Sequence, residues 1–434
     1  MQTVNQNLKP LTVKRNDKNN LEIGGCDLTQ LAKDYKTPLY VMCEETLRQI
    51  ANEYKSAFKY EKFKPTYASK ALLNVKIAEI LSSEGFGFDA VSMGEIWTIY
   101  KAGCDMSRVT FNGNNKTKEE IALAVKLGVG HFSIDNFYEI KILSDELKKY
   151  DKVQKVLLRI TPGIECHTHE YIQTGQIDSK FGFDLSQIDS AIEEILKYEN
   201  IEIVGLHAHI GSQIFETKVY EDEARILISE IARINKKYNL NLSEINMGGG
   251  LGVTYTKEDN PPSVYEIADV IISAIKKSSE EFGIELPTLY IEPGRSIVCT
   301  AGVTLYTLGS SKQVPDGTKY VAIDGGMADN PRPAMYDAQY VAEIANSKID
   351  ENVEKVTISG KYCESGDILI KDIMLPNPSA EDILCVYNTG AYNYSMASNY
   401  NRNLKPAMVL VNRGKSAIIV ERQSLEQLIE NDVR

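Results

Sequence analysis

Lys70 lies in the segment FKPTYASKALLN, where a strand-like run from Phe63 to Ala68 hands over to a helix-like run from Ala71. An amine at the mouth of a strand is placed to form a Schiff base with an aldehyde, provided that desolvation or a nearby cation keeps it partly deprotonated. Such a lysine needs companions: a carboxylate for a ring nitrogen and a cradle for a phosphate. Alone, Lys70 reads as a solvated surface lysine.

Several motifs supply candidates. EPGR (292–295) sets Glu292 three residues before Arg295 at a strand end. Its plain reading is a salt-bridged turn. Its chemical reading is a buried carboxylate, Glu292, that keeps the ring nitrogen of pyridoxal phosphate protonated so that the ring withdraws electrons. MGGGLG (247–252) contributes Gly248, Gly249 and Gly250, whose conformational cost makes sense if their amides approach a phosphate closely, or if the chain needs a tight strand-to-helix turn. In HAHIGSQ (207–213), His209 can stack on a flat ring and Ser212 can donate to phosphate; the alternative is a core histidine bonded to backbone. CESGD (363–367) offers Cys363, a thiol of ordinary pKa about 8.5 able to deliver a proton, and Glu364, able to receive an ammonium. A buried apolar thiol is the competing reading for Cys363. NPRPAMY (330–336) and NTGAYNYSM (388–396) add Arg332, suited to a carboxylate, and Tyr392, suited to a phosphate or carboxylate oxygen, each equally compatible with a surface loop.

The elements that must position these residues recur along the first two-thirds of the chain. Eight β-rich runs, TYASK (66–70), FGFDAVS (86–92), RVTFNG (108–113), HFSID (131–135), KVLLRITPG (155–163), IVGLHAHIGS (203–212), EINMGGG (244–250) and LYIEPGR (289–295), alternate with amphipathic helical patterns. Eight strand-helix units in series predict a (β/α)8 TIM barrel, and Lys70, Asp89, Asn112, His209, Gly248 to Gly250 and Glu292 all fall at strand carboxyl ends, the face that carries active sites in that architecture. An open doubly wound sheet would satisfy the helices alone. Beyond about residue 298 the pattern turns to strands, as in GVTLYTLGS, KYVAIDGG, EKVTISG, ILCVYNTGAY, AMVLVNRG and SAIIVER, which predicts a C-terminal β-sandwich or β-barrel domain completed by an N-terminal strand, PLYVMC (38–43). The expected division is 1–44, 45–298 and 299–434.

Composition narrows the function classes. A net charge of −12 with interspersed signs argues against a nucleic-acid partner. No apolar stretch reaches the roughly 18 residues of a membrane span, and the polar N-terminus lacks a secretory h-region, so a cytoplasmic location is expected. The seven cysteines, at 26, 43, 104, 166, 299, 363 and 385, form no CxxC pair. The pairs His167/His169 and His207/His209 suit an aromatic floor as well as zinc, and no carboxylate or thiol is spaced to complete a metal shell, so no metal is expected.

In chain order, TPLYV, YASKA, GFGFDAVSMGE, THEYIQTG with SKFGFD, HAHIGSQ, GGGLG, EPGR, RPAMY, CESGD and TGAY make the sequence similar to the diaminopimelate decarboxylase family, within the alanine-racemase-like (fold type III) pyridoxal-phosphate enzymes, from about residue 35 to about residue 425. The resemblance implies a barrel followed by a β domain, with pyridoxal 5'-phosphate held on Lys70, His209 against its ring and Glu292 on its nitrogen. By the same resemblance Gly248, Gly249, Gly250, Ser212, the backbone of Glu292, Pro293, Gly294 and Arg295, and Tyr392 hold the phosphate, and Asp89 forms the wall beneath. Arg295, Arg332, Tyr336, Glu364 and Tyr392 match substrate-binding positions. Cys363 and Glu364 match residues contributed by a second subunit, the thiol as proton donor, which implies a head-to-tail homodimer with shared sites. The implied reaction is decarboxylation of meso-diaminopimelate at its D centre to L-lysine, the last step of lysine biosynthesis. GKYCESGD departs from the family's usual Gly-Pro lead-in, which bears on the geometry of that loop. Readings weighed against this one are a decarboxylase of ornithine, arginine or carboxynorspermidine, which would need no paired arginines, a racemase, and a cofactor carrier, which would need neither thiol nor arginines.

Overall fold

The computed structural model describes residues 2–164, 180–348 and 352–433. Cys166, His167, His169 and the THEYIQTG motif lie outside the described residues. Two compact units divide the chain: Met1–Thr3, Ala51–Gly252 and Pro261–Gly294 form one; Val4–Ile50, Val253–Asn260 and Arg295–Arg434 form the other.

In the first unit all eight expected strands form: Phe63–Ala68, Gly87–Ala90, Val109–Phe111, His131–Ile134, Gln154–Thr161, Ile201–His207, Glu244–Asn246 and Thr288–Ile291. Each pairs in parallel with the next, and Leu289 opposite Phe63 joins the last strand to the first, so the sheet closes into a barrel rather than staying open. Runs such as Val156, Leu157 and Leu158 are buried at consecutive positions because one set of side chains fills the barrel while the other meets the helices. The helices start where polar side chains satisfy their first amides. Asn74, Ser92, Thr117, Asn136 and Ser263 each accept the amide three residues on, with Glu120 and Glu266 completing capping boxes. Asn74, Ser92, Thr117 and Asn136 lie two to six residues beyond strand ends, so those connections are short loops at the barrel's carboxyl face, whereas Ser263 follows a longer connection from Asn246.

The second unit is built on a sheet ordered Ile368–Pro376, Val353–Ser359, Lys319–Ile323, Gly302–Gln313, Leu39–Cys43, Ala407–Asn412, Lys415–Val420. The N-terminal strand sits inside it, antiparallel to Gly302–Gln313 and parallel to Ala407–Asn412. Gly302–Gln313 changes partner at a register shift between Leu308 and Ser311, pairing with Ile383–Val386 before it and mainly with Lys319–Ile323 after it. Ile23, Leu28, Leu39, Val41, Leu305 and Val409 fill the core beneath. Strand Ile368–Pro376 and a small sheet of Lys14–Arg15, Leu21–Ile23 and Cys26–Asp27 were not among the strands expected from the sequence.

Candidate active site

The first strand ends in a single 3-10 turn, Ser69–Ala71, folded back by the Tyr67 hydroxyl donating to the Leu72 carbonyl at 2.6 Å. Lys70 is exposed on this turn and lines a cavity of about 300 Å³ together with Asn112, Arg159, Phe181, His209 and Glu292. The ends of the first, third, fifth, sixth and eighth strands therefore converge on one mouth.

Two carboxyl groups sit at that mouth in opposite states. Burial pushes Glu292 up, but nearby His207, the Asn246 amide and Lys70 outweigh it and hold its pKa below the usual value. Asn246 Nδ2 donates to Glu292 Oε1 at 2.5 Å, and His207 Nε2 lies 3.5 Å from Oε2. Asp89 is buried with Oδ1 unpartnered, and burial followed by the charge of Glu292 drives its pKa far up. Asp89 thus favours its neutral form and Glu292 its charged one. His207 is fully buried, and burial lowers its pKa. A neutral imidazole with its Nε2–H toward Glu292 and Nδ1 accepting the Ser133 hydroxyl at 2.7 Å satisfies both neighbours. His209 is also kept neutral, by removal from water and by the charges of Lys70 and Arg159. Its Nδ1 accepts the Gly249 amide at 3.2 Å, which fixes the ring's orientation.

Steric demand explains the glycines. A Cβ on Gly249 would stand 2.2 Å from the Glu292 carbonyl oxygen, and Gly250 has φ +109 with the Gly211 carbonyl 2.7 Å from any Cβ. The loop carrying Ser212 is bound to this glycine loop through Ile214 N to Gly250 O at 2.9 Å and Gly252 N to Ile214 O at 3.1 Å. Gly294 packs on Ala68, and the Ala68 amide donates to Pro293 O at 3.2 Å, so the EPG segment is tied to the strand that delivers Lys70.

Arg159, Asn246 and His207 were not assigned roles from the sequence. Arg159 is buried; its Nη1 donates to Asn112 Oδ1 at 3.2 Å and lies 3.5 Å from Asp135, with the guanidinium 4.4 Å from the Phe181 ring centre. The available signal was a cation inside the apolar run KVLLRIT, which a buried strand tolerates only where it is paired.

In the second unit Arg295 and Arg332 are both buried and share Tyr255. Arg295 Nη1 donates to the Tyr255 hydroxyl at 2.8 Å, and its guanidinium lies 4.8 Å from the Tyr392 ring. The Arg332 guanidinium is 4.8 Å from the Tyr255 ring, and its Nη1 donates to the Tyr340 hydroxyl at 2.7 Å. The two guanidiniums thus lie in one aromatic surround of Tyr255, Tyr340 and Tyr392. Tyr255 and Tyr340 lay outside the motifs singled out in the sequence. Tyr336 ends the short helix Arg332–Tyr336. Cys363 and Glu364 stand on an exposed turn, so the thiol is not the buried apolar group its type alone suggests. The Lys361–Tyr362 lead-in leaves that turn well anchored: Tyr362 is buried and donates its amide to Asp367 Oδ2 at 2.9 Å.

Among the described residues no group of three or more His, Cys, Asp or Glu is placed to hold a metal ion, and no helix is long and apolar enough to cross a membrane. Residues 44–299 match the model of the pyridoxal-dependent decarboxylase family's pyridoxal binding domain. The chain is 45% identical to a diaminopimelate decarboxylase of Bacillus subtilis, covering 97% of each chain, and 44% identical to one of Synechocystis, covering 99% of this chain and 93% of the relative. It superposes with a TM-score of 0.92 on the crystal structure of the diaminopimelate decarboxylase from M. jannaschii in complex with L-lysine, at 35% identity and 98% coverage of both chains.

Proposed function

This chain belongs to the diaminopimelate decarboxylase family of pyridoxal-dependent decarboxylases, and we propose that it removes the carboxylate at the D centre of meso-2,6-diaminopimelate to give L-lysine, the last step of lysine biosynthesis, in the cytoplasm. The observation that carries the reading is the exposed Lys70 amine sharing one cavity with an anionic Glu292. Pyridoxal 5'-phosphate suits these residues: a glycine turn packed directly on the Glu292 backbone, where a Cβ at Gly249 would collide, a carboxylate favoured in its charged form, and a neutral imidazole face at His209.

Lys70 would tether the cofactor, and the Glu292 carboxylate would favour the protonated form of its pyridine nitrogen. The Gly248–Gly250 turn, whose Gly248 and Gly249 amides are held by Asn246 Oδ1 and His209 Nδ1, would take the phosphate together with the Ser212 hydroxyl, the Glu292–Arg295 backbone and Tyr392, while Asp89 would wall the site. When bound, the cofactor provides a sink for the electron pair left as the Cα–carboxylate bond breaks. Arg295, Arg332, Tyr336 and Tyr392 grip the distal amino-acid end of the substrate, and Glu364 its ammonium. Cys363 of the partner subunit in a head-to-tail homodimer then delivers the proton to Cα.

Paired arginines support a substrate with a distal carboxylate over a diamine precursor. Supplied with pyridoxal phosphate, the enzyme is expected to form L-lysine and carbon dioxide from meso-diaminopimelate and no putrescine from ornithine. Putrescine without lysine overturns the assignment.

A further inference from the structure

The turn that carries Cys363 is exposed at Lys361, Cys363, Glu364, Ser365 and Gly366, yet the residue before the thiol is buried. The Tyr362 hydroxyl donates to Asp329 Oδ1 at 3.3 Å and accepts from Asn403 Nδ2 at 2.8 Å, using both of its hydrogen-bonding capacities. Asp329 is itself fixed. Its Oδ2 takes the Tyr306 hydroxyl at 2.5 Å, its Oδ1 takes the Gly326 amide at 3.0 Å, and its carbonyl takes the Tyr40 hydroxyl at 2.5 Å. Tyr40 and Tyr306 belong to Leu39–Cys43 and Gly302–Gln313, adjacent strands inside the sheet. The backbone is pinned in parallel: Asp367 accepts the Tyr362 and Met327 amides at 2.9 and 2.7 Å, and the Cys363 amide donates to Asn401 Oδ1 at 2.9 Å. A chain of hydrogen bonds thus runs from the sheet interior and ends one residue before an exposed thiol.

A proton donor works only within hydrogen-bond reach of its target, and a displacement of about 1 Å is enough to cost a large factor in rate. We propose that Tyr362, anchored by Asp329 and Asn403, is a positioning residue that sets where the Cys363 thiol points. The role rests on Cys363 being the proton donor. It also joins two parts of the machinery, because the turn at Gly326–Asp329 that receives these bonds leads directly into the helix that begins at Arg332.

Tyr362→Phe keeps the ring beside Tyr400, 6.0 Å away, and removes only the hydroxyl. In the holoenzyme it is expected to lower kcat about tenfold, with KM for meso-diaminopimelate within about twofold and cofactor absorbance unchanged. In a Cys363→Ala background, itself slower by about 100-fold, adding Tyr362→Phe slows the enzyme no further. In the cofactor-free protein, alkylation of Cys363 by iodoacetamide, followed by peptide mass spectrometry, accelerates at least about threefold as the turn is released. Asn403→Ala, which removes the other partner of the hydroxyl, reproduces a smaller kcat loss and serves if Tyr362→Phe folds poorly. A Tyr362→Phe loss that persists in full without the thiol, or wild-type kcat in both single variants, overturns the positioning role. Cys363→Ala at the wild-type rate is a separate failure: the thiol is then not the donor, and the role of Tyr362 falls with it.

Discussion

A carboxyl group out of water resists ionisation, and the protein resolves that conflict differently at each site. Glu292 keeps its charge because Asn246 donates to it and His207 and Lys70 stand near. Asp329 does not: burial lifts its pKa from 3.8 to about 7, against hydrogen bonds from Tyr306, Gly326 and Tyr362 that pull it down. Its folded value exceeds its unfolded one, so its contribution to stability is full below the unfolded pKa and is lost as pH rises through about 7. Relative to Asp329→Asn, the wild-type protein should therefore lose stability between about pH 4 and pH 7 and level off above, read as the difference in urea midpoints; a difference that is flat across that window contradicts the assignment. At this scale the sequence exposed those residues whose motif is odd in itself, such as Lys70 after a strand, the three glycines and CESGD. It did not expose Asn246 or Tyr255, ordinary residues whose importance arises only from what the fold sets beside them.

The loop between the third barrel strand and the next helix owes its shape to one buried ion pair. Lys116 Nζ donates to the carbonyls of Gly113 and Ser133, at 2.9 and 2.7 Å, and to Glu139 Oε2 at 2.8 Å. Glu139 Oε1 also accepts the Asp135 amide, and Asp135 faces Arg159. Removing one partner leaves a charge buried alone. Lys116→Met is expected to destabilise the fold by about 3–5 kcal/mol, while Lys116→Met with Glu139→Leu recovers most of the loss. A single variant as stable as the wild type, by urea unfolding, removes the pair from its structural role. The barrel strands were legible because a polar or glycine residue stands at or within two residues of each strand's end and a helix period follows. Ile368–Pro376 was not, because Lys371 and Asp372 interrupt its apolar run and its register with Val353–Ser359 shifts beside them.

At the scale of the whole molecule, closure of the barrel follows from strand count and spacing; that the N-terminal strand joins the β domain was legible too, but not its place between Gly302–Gln313 and Ala407–Asn412, a pairing of residues at least 260 positions apart. Shared sites make a further demand on assembly. If Lys70 and Cys363 act across a homodimer, mixing Lys70→Ala with Cys363→Ala chains and allowing exchange restores about a quarter of wild-type activity, since half the dimers are mixed and each has one intact site; no recovery after demonstrated exchange argues for sites within one chain. Reduction of the holoenzyme with borohydride, followed by peptide mass spectrometry, is predicted to place the cofactor adduct on Lys70 and to find none in Lys70→Ala, which also forms no lysine from meso-diaminopimelate; an adduct on another lysine, or lysine formed at the wild-type rate by Lys70→Ala, contradicts it.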